Sequence, residues 1–138
     1  MLVAGCAAPA PEAGLHGFET VGIVVDGQRL DVSLAETSTQ RNQGLRGVKE
    51  LPKEIDGMLF SWRDATPTTF GMRDTIIPLD IWWFDDEGRL LGSTDMDPCL
   101  EEPCLSYASP GPVLWALETP LDAFDFSPGS SLTTVETG

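Results

Sequence analysis

The sequence predicts a mainly β fold, either a small antiparallel barrel or a closed, twisted sheet that carries one short helix. Two observations support this fold class. About eight short apolar runs, most of them rich in β-branched or aromatic residues, are separated by turn residues along the chain. One stretch, residues 38–45, combines a capping residue with a short helical segment. Many short strands with little helix are typical of closed antiparallel architectures.

The first two strands form a predicted hairpin. Residues 20–25 are a β-branched run, and Asp26 and Gly27 follow as a dipeptide that favours a two-residue hairpin turn. Beyond the turn, residues 30–34 alternate between apolar and polar side chains, which is the pattern of a half-buried strand. The two runs should therefore pair with each other in antiparallel orientation.

The predicted helix covers residues 38–45. Thr37 or Ser38 can cap it, because a side-chain oxygen at the N-cap accepts a hydrogen bond from an amide of the first turn. Gly44 and Gly47 lie near its end, where glycine commonly terminates helices.

The remaining strands are predicted from apolar runs that lie between turns. They cover residues 58–62, 68–72, 79–84, 89–94, 113–118 and 132–135. Trp82 and Trp83 are neighbours in the most apolar of these strands, so their side chains should point to opposite faces of the sheet. At least one of them should line a second apolar surface or a groove.

Length and charge limit the function classes. A chain of 138 residues, 41% of them hydrophobic, suits a single domain with one core. Its 22 acidic and 8 basic residues give a formal net charge of −14, and such a surface repels phosphate backbones. We therefore expect no nucleic-acid partner. No segment reaches the roughly 20 apolar residues that a membrane-spanning helix requires.

The N-terminus resembles the cleavage box of a bacterial lipoprotein. Leu2 is aliphatic, Ala4 and Gly5 are small, and Cys6 follows directly. In that pattern the cysteine becomes the first mature residue and carries acyl chains, two of which anchor a protein stably. The alternative is that Cys6 is an accidental cysteine in an Ala-rich tail.

This N-terminal pattern divides the chain into three expected parts. They are a leader remnant (residues 1–5), a lipid anchor with an Ala/Pro tether (residues 6–17) and a single domain (residues 18–138). The predicted location is exported and membrane-anchored on the extracytoplasmic side, in a periplasm or at a cell surface. The membrane, through lipid on Cys6, is then the first expected partner.

Two further cysteines, Cys99 and Cys104, lie five residues apart. In an exported protein such a pair is most simply a disulfide, which would add about 2 kcal/mol by loop closure. Free thiols remain one alternative. A redox pair or a metal site is the other, although redox motifs usually place two residues between the thiols and this chain has four.

The residue inventory argues against several enzyme classes. The one histidine, His16, lies in the tail, which makes Ser-His-Asp and Cys-His catalysis implausible. No glycine-rich phosphate loop is present, and we expect neither a cofactor nor a metal. Asp80 and Glu118 each interrupt or end an apolar strand and are the candidates for paired-carboxylate chemistry. The alternative is that each carboxylate stabilises a turn or pairs with an arginine.

Four motifs together resemble domain-of-unknown-function family 192, an uncharacterised bacterial and archaeal family. They are Gly44-Leu45-Arg46, the segment 57–60, the segment 70–80, and Pro98-Cys99 through Cys104 to Tyr107, followed by Leu117-Glu118. The resemblance spans about residues 20 to 136. It implies a compact β-rich fold in a protein that is exported or lipid-anchored, and it implies no established activity.

The chain departs from the pattern of this family at three positions. Gly71 stands where the family usually has Trp, Asp74 where it has Asn, and Arg46 where the first motif normally ends in Met. If the family shares a binding site at these positions, the apolar part of that site is reduced in this chain.

The segment 72–80 is the predicted site, because it links two apolar strands and carries charges of both signs. The candidate ligand-binding residues are Arg41, Met72, Arg73, Asp74, Thr75 and Asp80, and the weaker catalytic candidates are Asp74, Asp80 and Glu118. The alternative is structural: the polar side chains satisfy turn backbone, and Arg73 or Arg41 pairs with a carboxylate.

Two functions stay open at this point. The sequence favours a non-catalytic, lipid-anchored domain that binds a small molecule, a peptide or an envelope protein. The alternative is a carboxylate-dependent hydrolase of the cell envelope that needs no metal. A pocket that converges on the candidate carboxylates, with one of them buried and raised in pKa, would favour the hydrolase.

Overall fold

A computed structural model describes residues 15–135 of the protein, so the predictions for residues 1–14, including lipid on Cys6, lie outside the described residues. The fold is mainly β, as predicted. The strands are β1 Glu19–Val25, β2 Gln28–Ala35, β3 Gly57–Thr66, β4 Thr69–Gly71, β5 Leu79–Phe84, β6 Leu90–Met96, β7 Ser106–Ala108, β8 Val113–Pro120 and β9 Leu132–Thr134, and the helix is α1 Ser38–Gln43.

Seven strands form one curled sheet in the order β6-β5-β8-β3-β2-β1-β9, and β4 pairs with β7 in a separate two-stranded sheet. The two edges of the large sheet meet at one end, where Arg89 bridges to Ser131. There the Leu90 amide donates to the Ser130 carbonyl at 2.8 Å. The sheet is therefore a half-barrel, which confirms the predicted fold class.

The N-terminal hairpin has the predicted turn. Val25 pairs with Gln28, and the two residues between them, Asp26 and Gly27, have φ angles of 52° and 77°. This left-handed pair is the turn that Asp-Gly favours, because its twist matches that of the flanking strands.

The pairing of β2 with β3 is parallel, whereas the other strand pairs within residues 15–135 are antiparallel. A parallel pair needs a crossover connection, and α1 with the loop after it supplies one. Sequence periodicity carries no signal for strand direction, so this pair was not foreseen. The short strand β7 was also missed.

The helix α1 ends earlier than predicted. Thr37 is its N-cap: its hydroxyl accepts from the Gln40 amide at 3.1 Å, and the Gln40 side chain accepts in return from the Thr37 amide at 3.1 Å. Gly44, with a φ of 48°, ends the helix, and its amide donates to the Gln40 carbonyl at 2.9 Å. The glycine thus terminates the helix directly after Gln43.

Two apolar clusters lie on opposite faces of the large sheet. The inner cluster draws residues from all seven strands and includes Leu59, Trp82 and Leu117. The outer cluster includes Phe60, Trp83 and residues from the loops that cover this face. Trp82 and Trp83 thus pack into different clusters, as the alternation of a strand requires.

Within the part of the chain that the structure describes, no helix is both long enough and apolar enough to cross a bilayer.

Candidate functional site

A cleft of about 540 Å³ opens on the outer face of the sheet. Three elements surround it: the end of α1 with residues 44–46, the β3–β4 turn, and the loop that contains Arg73 and Thr75. Its volume falls within the range that small-molecule sites occupy.

One wall of the cleft is aromatic. Phe70 makes edge-to-face contacts with Phe60 and Trp83, with ring centroids 4.8 Å and 5.4 Å apart, and with Trp62 at 6.1 Å. Phe70 and Trp62 are half-buried and line the cleft. These contacts hold the rings in place, so the wall is preformed.

Arg41, a predicted binding residue, is held at the cleft by three contacts. Its Nη1 donates to the Glu36 carbonyl at 2.7 Å and to the Ser61 carbonyl at 2.8 Å. Its guanidinium lies 5.3 Å from the ring centroid of Trp62, a cation–π distance. None of these contacts involves a carboxylate, so no ion pair within residues 15–135 compensates the positive charge of Arg41 beside the aromatic wall.

Two more arginines, Arg46 and Arg73, line the cleft, so it contains three of the eight basic residues of the protein. Arg73 forms an ion pair with Glu102. Both side chains of that pair are more than half exposed, so the pair contributes little to stability and leaves Arg73 free to move. The basic residues of this acidic chain are therefore concentrated at the cleft.

Glu118 lies in the cleft wall and is buried, with 4% of its surface exposed. It sits on β8 between Met58 of β3 and Ile81 of β5, both apolar. Burial raises the pKa of this carboxyl from 4.5 to about 8. Within residues 15–135 the side chain has no hydrogen-bond partner, and it is protonated at neutral pH.

Two other predicted binding residues, Thr75 and Met72, are close to the cleft. Thr75 is buried, lines the cleft and donates its hydroxyl to the Arg73 carbonyl at 3.3 Å. Met72 is fully buried in the outer cluster and supports the wall from behind, so it does not line the cleft.

Asp74 points to a different place. It lines a smaller depression of about 240 Å³, together with residues of the loop that contains Cys99. Its amide donates to the Cys99 carbonyl at 2.9 Å, and its carbonyl accepts from the Gly47 amide at 2.9 Å. Asp74 has a φ of 59°, a left-handed conformation that Asn and Asp tolerate better than most residues. Its backbone therefore connects the cleft rim to two neighbouring loops.

Asp80 is on the opposite face of the sheet from Glu118. Its Oδ2 accepts a hydrogen bond from the Asp122 amide at 2.9 Å, and it pairs across the sheet with Asp95. Burial raises the pKa of Asp80, the Asp122 hydrogen bond lowers it, and Asp95 raises it further. Asp80 thus fixes the turn after β8, as the structural alternative foresaw.

The predicted disulfide is present: the Sγ atoms of Cys99 and Cys104 are 2.02 Å apart. Backbone bridges from Cys99 to Arg73 and Thr75 attach the disulfide loop to the cleft rim. Within residues 15–135 no group of three or more His, Cys, Asp or Glu side chains is placed to hold a metal.

The structure thus brings together four of the predicted residues, Arg41, Arg73, Thr75 and Glu118. Sequence reasoning missed Arg46 as a site residue and assigned Trp62 and Phe70 only to strands. The positive charge of Arg46 could have identified it, because it is one of few basic residues in an acidic chain and lies in the motif Gly44-Leu45-Arg46.

The half-barrel sheet, the crossover helix and the loop-covered cleft define a class of small β-rich domain with a ligand-sized opening on its outer face. The model of the DUF192 family, described as an uncharacterised ACR, matches residues 21–133. The chain belongs to this family.

Two solved structures share the fold. One is a protein from Sinorhizobium meliloti 1021 that is provisionally named a transcription regulator; it is 25% identical with a TM-score of 0.71, over 88% of this chain and 98% of that chain. The other is a protein of unknown function from Novosphingobium aromaticivorans; it is 28% identical with a TM-score of 0.70, over 96% of this chain and 99% of that chain. No curated protein matches the chain.

Proposed function

We propose that this protein is a lipid-anchored, extracytoplasmic domain that binds a small molecule, without catalysis, in the cleft beside Glu118. One observation carries the proposal: the carboxyl of Glu118, which is buried and makes no hydrogen bond to residues 15–135, lies in the wall of an aromatic, arginine-lined cleft. Buried polar groups nearly always have a partner, and one that has none needs an explanation. A bound ligand would supply that partner.

The composition of the cleft supports binding. Small-molecule sites combine apolar walls with a few polar groups that orient the ligand. Here Phe70 and Trp62 supply the apolar surface, Arg41 and Arg46 supply charge, and Thr75 supplies a hydroxyl. A peptide or an envelope protein, the other partners that the sequence allows, would need more surface than the cleft offers.

A hydrolase is the second candidate, and one observation favours it. A carboxyl whose pKa is raised to about 8 is protonated at neutral pH and can act as a general acid. Two-carboxylate hydrolysis also needs a base opposite the acid. Asp74 and Asp80 do not line the cleft, and Glu118 is the one carboxylate among its described lining residues. The geometry therefore supports binding better than hydrolysis.

The anchoring part of the proposal rests on the lipoprotein-type pattern at Cys6 and on the disulfide between Cys99 and Cys104. Disulfides persist in oxidising, extracytoplasmic compartments, so the bridge is compatible with export. The provisional name of the Sinorhizobium meliloti protein is not carried over, since a net charge of −14 disfavours contact with DNA.

A thermal-shift screen of a small-molecule library tests the binding function. The wild type is screened beside Trp62→Ala, which removes part of the wall, and Asp80→Asn, which leaves the cleft intact. A cleft ligand at 100 times its Kd should raise the Tm of the wild type and of Asp80→Asn by about 10 °C, and that of Trp62→Ala by much less. Ligands that shift all three proteins equally, or a screen without ligands, would contradict the proposal.

Mass spectrometry tests the anchor. The protein is purified from membranes of a host that expresses its complete reading frame, and the N-terminal peptide is sequenced. We expect Cys6 as the first residue, with a mass increase of two or more acyl chains. An unmodified Cys6 would refute lipid anchoring and leave ligand binding untouched.

A further inference from the structure

We propose that the ligand of the cleft is a small, monoanionic carboxylate that contains a ring, with its carboxylate attracted by Arg46 and Arg73 and its ring packed on Phe70 and Trp62. This inference rests on the proposed binding function and adds the chemical class of the ligand.

The charge distribution points to an anion. The cleft contains Arg41, Arg46 and Arg73, whereas the protein as a whole has 22 acidic residues against 8 basic ones. Of those acidic residues, Glu118 is the one that lines the described cleft, and it is neutral at pH 7. The local field is therefore positive on a strongly negative protein.

The availability of the guanidinium groups points to a carboxylate. Arginine holds carboxylates through two parallel hydrogen bonds. Arg41 donates to two carbonyls through Nη1, which fixes its guanidinium and keeps its charge at the cleft. Among the described residues, the Arg73 side chain has one charged partner, Glu102, and a ligand can replace this exposed ion pair. The Arg46 side chain has no hydrogen bond or ion pair to residues 15–135 and can reach the ligand.

The net charge of −14 selects for a ligand of low charge. The distant carboxylates repel a monoanion less than they repel a phosphate dianion. The attraction between the ligand and the cleft arginines is stronger than this repulsion only at short range. The neutral carboxyl of Glu118 adds a donor, since a protonated carboxyl can give an O–H···O⁻ hydrogen bond to a carboxylate.

The aromatic wall points to a ring. Phe70 and Trp62 are half-buried at the cleft. Phe60 and Trp83 contact Phe70 and hold it in place, and Phe70 in turn contacts Trp62. A flat ring of five or six atoms can pack on such a wall. Aromatic rings interact favourably in offset-stacked or edge-to-face arrangements, and the wall holds its rings in one orientation. A volume of about 540 Å³ holds a ring with a carboxylate and further substituents.

The test uses three probes of the same shape and different charge: benzoate, benzamide and phenyl phosphate. Binding is measured by calorimetry at pH 7 on wild type, Arg46→Ala, Arg73→Ala and Arg63→Ala. Arg63 is an exposed arginine of β3 that does not line the cleft, so its variant is the matched control. We expect benzoate to bind at least tenfold more tightly than benzamide or phenyl phosphate. Each of the two cleft variants should lose about tenfold in affinity, and Arg63→Ala should lose nothing.

A pH series adds a readout that surface attraction alone would not give. The groups that face Glu118 are apolar on β3 and β5, and the other charged residues that line the cleft are arginines. If benzoate binds the neutral carboxyl, its affinity for the wild type should fall about tenfold between pH 7 and pH 9, as Glu118 ionises. Glu118→Gln, which keeps a donor, should bind benzoate with an affinity that does not change over this range.

The outcomes separate the ligand class from the binding function. If benzamide or phenyl phosphate binds as tightly as benzoate, the carboxylate class is wrong and the cleft remains a binding site. If the library screen finds cleft ligands and none of the three probes binds, the class is again wrong. If no probe binds and the screen is empty, the proposed function itself fails.

Discussion

The two faces of the seven-stranded sheet differ in how they accommodate buried polar groups. On the inner face, the Trp82 indole donates to the Thr119 hydroxyl at 3.0 Å, and Asp80 accepts from the Asp122 amide at 2.9 Å. On the outer face, within the part of the chain that the structure describes, the buried Glu118 side chain makes no hydrogen bond, and the buried Ser33 hydroxyl is also unpaired. Ser33 and Glu118 flank Met58 in one row across the sheet.

This difference distinguishes a face built for stability from the face that carries the candidate site. Hydrogen bonds on the inner face offset the desolvation of its polar groups, so those groups are compatible with a permanently closed core. On the outer face the desolvation of Glu118 is not offset and appears instead as a raised pKa. Two carboxylates that look alike in the sequence thus have different roles, and each prediction below tests that distinction.

The largest effect is expected from Glu118→Gln. Because burial raises the pKa of Glu118 from 4.5 to about 8, the folded protein binds one more proton than the unfolded chain between these pH values. Stability should therefore fall as pH rises, by about 1.4 kcal/mol per pH unit and on the order of 5 kcal/mol in total. Glutamine cannot ionise, so the variant should gain this amount relative to wild type. Urea unfolding from pH 4 to pH 8 measures the difference.

Asp80→Asn is the matched control for that experiment. The pKa of Asp80 is also raised, so Asp80→Asn, like Glu118→Gln, should become more stable relative to wild type as the pH rises. The gain should be smaller, because the hydrogen bond from the Asp122 amide stabilises the ionised form of Asp80, whereas no hydrogen bond within residues 15–135 does so for Glu118. A larger gain for Asp80→Asn would contradict the distinction between the two faces.

Gly57→Ala should lower the free energy of unfolding by an amount on the order of 3 kcal/mol. A Cβ at Gly57 would lie 2.1 Å from the Glu118 carbonyl, so β3 and β8 would have to separate beside the cleft. Gly111→Ala is the control, because a Cβ there meets nothing within 4 Å, and it should change stability by less than about 0.5 kcal/mol. Chemical unfolding of both variants decides; equal losses would show that β3 and β8 can separate at little cost.

Removing the disulfide should cost about 2 kcal/mol. In the double variant Cys99→Ser with Cys104→Ser, the loop loses its closure, and the backbone bridges from Cys99 to Arg73 and Thr75 weaken. The outer face should therefore loosen more than the inner one. Hydrogen exchange should accelerate more at the Asp74 amide, which donates to Cys99, than at amides of β1. Uniform acceleration would show that the bridge does not act locally on the rim.

The smallest loss of stability, about 1 kcal/mol, is expected from Asp74→Ala. At a φ of 59° a Cβ-bearing residue without a polar side chain is disfavoured, whereas Asn adopts this conformation readily. Asp74→Asn should therefore leave stability unchanged, and Asp86→Ala, in an exposed turn, serves as the control. Thermal unfolding measures all three, and an Asn variant as unstable as the Ala variant would show that the carboxylate itself stabilises the rim.

Some parts of the site could be predicted from the sequence. Glu118 was a candidate because it ends an apolar strand. Arg73 and Thr75 were candidates because the segment 72–80 links two apolar strands and carries charges of both signs, and Arg41 was added from the predicted helix. Asp80 was selected by the same reasoning, and the structure places it on the other face. Sequence patterns show that a residue interrupts a strand, and they do not show which neighbouring strand or loop covers it.

The sequence by itself determined the local structure of this protein. The Asp26–Gly27 turn, the Thr37 cap and the opposite orientation of Trp82 and Trp83 follow from torsion preferences and from the two-residue period of a strand, which act over a few residues. The disulfide was predictable from the short spacing of Cys99 and Cys104 in an expected exported chain.

Only the tertiary structure decided where the site lies. It inserts β8 between β3 and β5, although these strands are far apart in sequence, and it makes the pairing of β2 with β3 parallel. That order places Glu118 between Met58 and Ile81, beneath the loop that carries Arg73. Strand order depends on how the whole chain buries its apolar surface, so local propensity cannot specify it. The pKa of Glu118, which follows from that burial, was therefore not predictable either.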